Sequence, residues 1–336
     1  MGPGGGTGID GVKPAADLGV SIELQTAKVD ERPGGSATVN GAAVAQLTAA
    51  PAADGNAAEL AAAYAWCAKL ARSHYENFTI ASWLMPHEMR RHVHAIYAYA
   101  RIADDFADEQ RSIARLDEWQ HELELAYAGA PRHPVMVAVA DTARRFDIPL
   151  DPFVDLLKAF RSDVEFQGFE TTADLLGYAR YSANPVGRLV LYLFGFRDAE
   201  RQRLSDLICT GLQFANFWQD VAIDLAKGRI YFPRRDMEQY RVTAEDLRNG
   251  KVSASFIGLM RHEILRAREM LLAGAALSTL VERGLRRDVL MFAGGGLAIL
   301  RAIERVGYDV FRARPKLTRL DYVKLGWHAL GGRLQL

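Results

Sequence analysis

Cysteine is almost absent from this chain, with two in 336 residues. Cys67 and Cys209 have no metal-ligand spacing and sit in apolar helical contexts, which excludes a disulfide framework and points to buried free thiols in a reducing compartment. Long apolar runs are missing too. The best, near 189–196 and 291–300, fall well short of the roughly 18 to 20 residues that span a bilayer. Net charge is also lacking, 41 Lys and Arg balancing 41 Asp and Glu, which argues against nucleic acid as a partner. The basic residues near the end, Arg301, Arg305, Arg312, Arg314, Lys316 and Arg319, make at most a local patch. No charged n-region with an apolar core opens the chain, so cytoplasmic residence is expected, and Asn77-Phe78-Thr79 is then an accidental match to a glycosylation acceptor. Strand-like alternation is essentially missing.

What is present is apolar and helical in pattern. Hydrophobic residues make up 49% of the chain, ample for the core of one large domain or two ordinary ones. Residues 1–56 are rich in Gly, Ala, Pro, Thr and Asp and carry little periodicity, which predicts a disordered low-complexity segment. Its glycines at 4–6 and 8 lack the flanking strand and Lys-Ser/Thr of a phosphate loop. From residue 57 onward the spacing predicts helices near 57–73, 86–108, 111–129, 134–147, 151–166, 172–195, 198–226, 253–275 and 288–310. Pro86, Pro131, Pro134, Pro149 and Pro152 fall at the breaks, and Gly228 is placed to end a helix. The expectation is a single all-α domain over residues 57–336.

Two segments stand out within that pattern: Arg101-Ile102-Ala103-Asp104-Asp105-Phe106-Ala107-Asp108, and residues 213–224, which run from Gln213 through Asn216 and Asp220 to Asp224. Residues four apart lie one above the other on a helix, so Asp104 with Asp108, and Asp220 with Asp224, each point a carboxylate pair one way. Like charges so placed cost a helix a few tenths of a kcal/mol, and a multivalent cation is the simplest compensation. Mg2+ binds through one or two carboxylates while phosphates and water fill its other positions. Two facing acidic helices therefore suggest a diphosphate held between them. A single such pair would read better as solvated surface, but the neighbours argue otherwise. Asp104 and Asp108 continue a polar stripe of Arg90, His94, Tyr97 and Arg101 beside a wholly apolar one, and Gln213, Asn216, Asp220 and Asp224 share a face among Phe214, Phe217, Trp218 and Val221.

Other stretches fit a cavity. In 181–188, Tyr-Ser-Ala-Asn-Pro-Val-Gly-Arg, a proline inside a helical run bends the helix, while Gly187 reads equally as close helix packing. Lys227 and Arg229 follow the second acidic helix, where cations meet either its negative end or a phosphate. His74, His87, His92 and His94 make no tetrahedral metal set and read as capping, packing or substrate-orienting residues.

The pairing of Arg-x-x-Asp-Asp-x-x-Asp at 101–108 with Gln-x-x-Asn-x-x-x-Asp-x-x-x-Asp at 213–224, followed by Gly228-Arg229-x-Tyr231-x-Pro233, resembles the squalene/phytoene synthase family from about residue 57 to 319. The phrases at 74–78, 182–188 and 216–221 are similar to those of the hydroxysqualene synthases of the bacterial hopanoid pathway. The resemblance implies an isoprenoid synthase helical bundle with a central active-site cavity. It also implies that Asp104, Asp108, Asn216, Asp220 and Asp224 hold Mg2+ against a diphosphate, with Arg101 among the catalytic residues. Phe78, Tyr97, Arg188, Gln213, Asn216, Phe217 and Arg229 would bind substrate. The implied reaction takes presqualene diphosphate and water to hydroxysqualene and diphosphate. Its cation calls for aromatic walls, for which Phe78, Tyr97, Phe214, Phe217 and Trp218 are candidates, each individually better read as core.

Departures from the family pattern matter as well. Gln219 stands where relatives that condense two prenyl diphosphates usually have Arg, which removes one cationic contact to a second diphosphate unless Arg180 replaces it. Gly294-Gly295-Gly296 replaces a region where those relatives often have Tyr. Head-to-head condensation of two farnesyl diphosphates stays open as a second reading, and a non-catalytic assembly or lipid-binding role as a third. A C30 substrate leaves room for peripheral contact with the inner face of a membrane and for contacts with neighbouring enzymes of the hopanoid pathway.

Overall fold

The computed structural model describes residues 57–73, 87–332 and 334. The expectation for residues 1–56, and the roles read for Phe78 and His74, lie outside the described residues. Within them every element is helical and no strand occurs, so the all-α expectation holds.

The helices are α1 (Ala57–Ser73), α2 (His87–Asp108), α3 (Ile113–Tyr127), α4 (Pro134–Phe146), α5 (Asp151–Val164), α6 (Thr172–Ser182), α7 (Asn184–Leu193), α8 (Ala199–Gln219), α9 (Val221–Ala226), α10 (Arg234–Gln239), α11 (Ala244–Arg248), α12 (Ala254–Gly274), α13 (Arg283–Arg305) and α14 (Arg319–Leu330), with a 3-10 turn at Ala275–Thr279. Local chemistry sets their ends. Asp198 accepts from the Arg201 amide at 3.0 Å to start α8, and Thr171, Thr243 and Thr318 each form a reciprocal capping box with an Asp three residues on.

Three boundaries differ from the sequence expectation. The run 172–195 is two helices divided at Ala183 (φ −117°, ψ −47°), because Pro185 in the first turn starts a new helix more readily than it bends an old one. The run 198–226 divides at Asp220. The segment expected at 288–310 is the helix Arg283–Arg305; Gly284, Arg286 and Arg287 mask its first turn in the sequence, and Gly307 and Tyr308 adopt positive φ after it. The short helices α10 and α11 escaped the periodicity because one or two turns carry too few apolar repeats to register; the 12-residue α14 escaped it because its apolar residues fall on two opposite faces.

Two hydrophobic cores result. One gathers α1 to α5 around Tyr99, Leu116, Trp119, Leu123, Met136 and Phe153. The other gathers α6 to α13 around Leu212, Phe214, Trp218, Phe256, Leu271 and Leu300, and α8 against α12 is its most extensive helix pair. α7 joins them, giving Leu189 and Leu193 to the first core and Leu191 to the second. Gly187 is what lets α7 approach α8. A Cβ there would run into Ser205 Oγ and come within 2.6 Å of Cys209 Sγ, so close packing explains this glycine. Both cysteines are free, and burial pushes each thiol up to about 12.

Candidate active site

Where the two cores meet, α2 and α5 from the first face α6, α8 and α9 from the second across a cleft of about 530 Å³ including its mouth. Asp104, Asp163, Gln213, Asn216, Asp220 and Asp224 line it together with Leu156, Phe160, Tyr178, Phe217 and Tyr231. Acids from both sequence segments thus reach one cavity.

The first acidic wall is an unbroken helix. Arg101, buried on α2, pairs with Asp105 and lies 3.4 Å from Asp104. Burial, reinforced by the charge of Asp108, pushes the Asp104 carboxyl up to about 7. Burial also pushes Asp108 upward, yet Arg229 and then Lys227 overcome it and hold that carboxyl below its ordinary value. The Arg229 Nη2 donates to Asp108 Oδ1 at 2.8 Å, and the Lys227 Nζ to Oδ2 at 3.0 Å. These cations come from the far wall. Gly228, at φ +75°, reverses the chain after α9, and the Arg229 amide bonds back to Asp224 O at 2.8 Å. A left-handed residue here is the ordinary use of a glycine after a helix.

The second wall is broken. Asp220 (φ −104°, ψ 12°) ends α8 and begins α9, but the helical bond from the Asp224 amide to Asp220 O is kept at 2.9 Å, so both side chains still enter the cleft. Arg314, from the segment before α14, donates to Asp220 Oδ1 at 2.5 Å and to Gln219 Oε1 at 3.0 Å. The Gln219 Nε2 donates to Pro315 O at 2.5 Å. Arg180 does not replace the charge missing at Gln219; it is exposed and stands over the Tyr181 ring.

Aromatic rings close the inner side. Phe217 stacks on Tyr231 with centroids 3.8 Å apart, and Tyr178 and Phe169 pack beside that pair. Phe214 and Trp218 are wholly buried in the core, with Trp218 stacked on Phe232, so of those two neither faces the cavity. Tyr97 is half-buried on α2, where Arg101 and Asp104 act on its hydroxyl. Arg188 is elsewhere: it makes a two-point ion pair with Asp206, at 3.0 and 2.6 Å, and is not among the cavity's residues. His92 is a packing residue held by Tyr64 and Thr142.

The donor set suits a hard dication. It is all oxygen, and Asp104 carries a pKa that a nearby cation would restore to the carboxylate range. Gln213 Oε1 is buried in the same wall without a hydrogen-bond partner. No group of three or more acidic, His or Cys side chains is gathered tightly enough to bind a metal by itself among the described residues. Mg2+ ordinarily binds through one or two carboxylates, with water and phosphate oxygens filling its other positions.

Against known families, residues 71–321 match the model of squalene/phytoene synthase. The chain belongs to the squalene/phytoene synthase family. Its relatives include a phytoene synthase of Arthrospira platensis, 31% identical over 275 residues that cover 75% of this chain and 87% of that one. A 15-cis-phytoene synthase of Synechococcus elongatus is 28% identical, covering 76% and 89%. Among solved structures, squalene synthase HpnC from Alicyclobacillus acidocaldarius is 42% identical, with a TM-score of 0.73, covering 75% of this chain and 97% of that one. A dehydrosqualene synthase at 24% identity shares the fold with a TM-score of 0.75. This is the fold of an isoprenoid synthase, and the family is one of enzymes.

Within this family fold the sequence reading missed Asp163. Its carboxyl accepts from the Tyr178 hydroxyl at 2.9 and 3.1 Å. Burial, with Asp108 nearby, pushes it up to about 7 against the pull of Arg229 and the Tyr178 bond. The signal was present: Asp163 continues the apolar stripe of Leu156 and Phe160 on α5, where a solvated carboxylate does not belong. Arg314 carried no comparable signal, since only the return of the C-terminal segment brings it to Asp220.

Proposed function

We propose that this protein converts presqualene diphosphate and water to hydroxysqualene and inorganic diphosphate. Asp104, Asp108, Asn216, Asp220 and Asp224 would hold Mg2+, and the chemistry that Mg2+ supplies when bound is neutralisation of charge on the departing diphosphate oxygens. In this reading Arg101, Lys227 and Arg229, beside those acids, would donate charge-assisted hydrogen bonds to those oxygens. As the carbon–oxygen bond breaks, its electron pair leaves with the diphosphate, and the cyclopropylcarbinyl cation faces Phe217, Tyr231 and Tyr178. A ring face stabilises a desolvated cation by about 2 kcal/mol. The cation rearranges, water adds to it, and the adduct loses a proton to give the alcohol.

The observation that carries this reading within the family is Gln219. An uncharged side chain precedes Asp220, and its amide is committed to Pro315 O, which suits a substrate with one diphosphate. The 42% identity to squalene synthase HpnC, against 28 to 31% for the phytoene synthases, supports a squalene-type over a phytoene-type product. A specific observation favours a second reading, head-to-head condensation of two prenyl diphosphates: Arg314 brings a guanidinium beside Gln219 after all.

Product analysis separates the two. Purified protein with Mg2+ is given presqualene diphosphate in one tube and farnesyl diphosphate in another, without NADPH, and extracts are resolved by mass spectrometry. Hydroxysqualene from the first tube alone is the expected result. A presqualene product or C30 hydrocarbon from the second would replace this reading with condensation.

A further inference from the structure

The last helix, α14, turns the wrong residues outward for a helix that ends in water. Leu320, Val323, Trp327 and Leu330 are 61, 65, 79 and 75% exposed. Their spacing of three, four and three places them on one stripe of the helix. The opposite face is fixed to the bundle. Leu325 and Ala329 are buried, and Leu325 seats against Gly294 of α13, where a Cβ would stand 2.9 Å from Leu325 Cδ2. A capping box at Thr318 and the ion pair from Arg305 to Asp321 at 3.0 Å hold α14 as well. The stripe is therefore a presented surface on a docked helix, and no helix of the described residues is long and apolar enough to cross a membrane.

Charge decides what it fits. The chain as a whole is neutral, but residues 312–334 hold six Arg and Lys against the single Asp321. Lys316 and Lys324 are exposed, and Arg312 is exposed at the start of the segment. An apolar stripe carrying a tryptophan, bordered by lysines, matches the interface of a bilayer with anionic headgroups. We propose that α14 lies on an anionic lipid surface, with Trp327 and Leu330 entering the headgroup boundary and Lys316 and Lys324 meeting lipid phosphates. The placement has a consequence for the cleft. Arg314 and Pro315, a few residues ahead of α14, are bonded to Asp220 and Gln219, so the lipid-bound helix is tethered directly to the second acidic wall.

This inference goes beyond the proposed reaction and is tested without any substrate. The full-length protein is co-sedimented with vesicles of phosphatidylcholine containing 30% phosphatidylglycerol, and with vesicles of phosphatidylcholine alone. Binding to the anionic vesicles is expected. It should fall at least tenfold in Trp327→Ser/Leu330→Ser, and severalfold in Lys316→Gln/Lys324→Gln or in 0.5 M NaCl, with helical circular dichroism unchanged because the altered side chains are exposed. Failure of the wild type to sediment, or equal binding by the Ser variant, would overturn the proposal. A concentration-dependent dimer that the Ser variant abolishes would assign the stripe to a second copy of this chain and overturn it too.

Discussion

The two acidic walls of the cleft carry the same pattern, Asp at i and i+4, and hold it in different ways. Asp104 and Asp108 sit on one unbroken helix, and the cations that hold Asp108 come from Lys227 and Arg229 on the far wall. Asp220 and Asp224 straddle a helix break, and the cation on Asp220 comes from Arg314, near the C-terminus. The first wall also has a third buried acid behind it, Asp163. The difference teaches that helical spacing aligns the carboxylates of each pair on one face, while the charges that hold Asp108 and Asp220 are imported from distant parts of the chain.

The sharpest way to break the comparison is to remove one acid from each wall. Asp104→Ala and Asp220→Ala should each cut steady-state turnover roughly 10²- to 10³-fold, the scale of losing one preorganised electrostatic contact, with far-ultraviolet circular dichroism intact. Near-normal turnover in both would dismiss the cleft as the reaction site. The imported charges come next. Arg229→Met should lower kcat/KM roughly 10- to 100-fold, as loss of a residue that orients a ligand does, whereas Arg188→Met, whose guanidinium is spent on Asp206 outside the cleft, should change it less than about threefold. Equal losses would return Arg188 to the substrate-binding set.

Asp163 sharpens the contrast through pH. An acid whose folded pKa is raised from 3.8 to about 7 binds more protons in the native state. Its favourable contribution is full below the unfolded value and is lost as pH rises through about 7. The thermal midpoint of the wild type should therefore decline relative to that of Asp163→Asn between about pH 4 and pH 7. Parallel curves would show that the buried acid is ordinary in its titration. The smallest effect expected is that of deleting residues 1–55, whose composition supports no core. Activity and thermal midpoint should stay close to those of the full chain; a collapse of soluble yield would make that segment part of the domain.

Much of this site could be read before any fold was known. Asp104, Asn216, Asp220 and Asp224 needed only helical spacing to be placed on common faces, and Gln213 and Phe217 followed from the same periodicity. Arg188 stands in a motif whose other members, Pro185 and Gly187, serve the helix junction, while its own side chain pairs with Asp206, which nothing local in the sequence shows. Asp163 was visible as a carboxylate in an apolar stripe. Tyr231 stood in a quoted motif, but nothing local shows that it stacks on Phe217.

By itself, the sequence determined the all-helical class and most helix limits beyond residue 57, because apolar period, proline positions and caps act over a few residues. It also determined the two carboxylate pairs, because helix geometry alone aligns residues four apart. Only the tertiary structure decided that Asp104 shares one cavity with Asp220 and Asp224, that Arg229 and Arg314 neutralise acids 121 and 94 residues away, and that α14 faces outward with its apolar stripe. Those facts depend on how helices pack, and packing is settled by shape and burial summed over the whole chain.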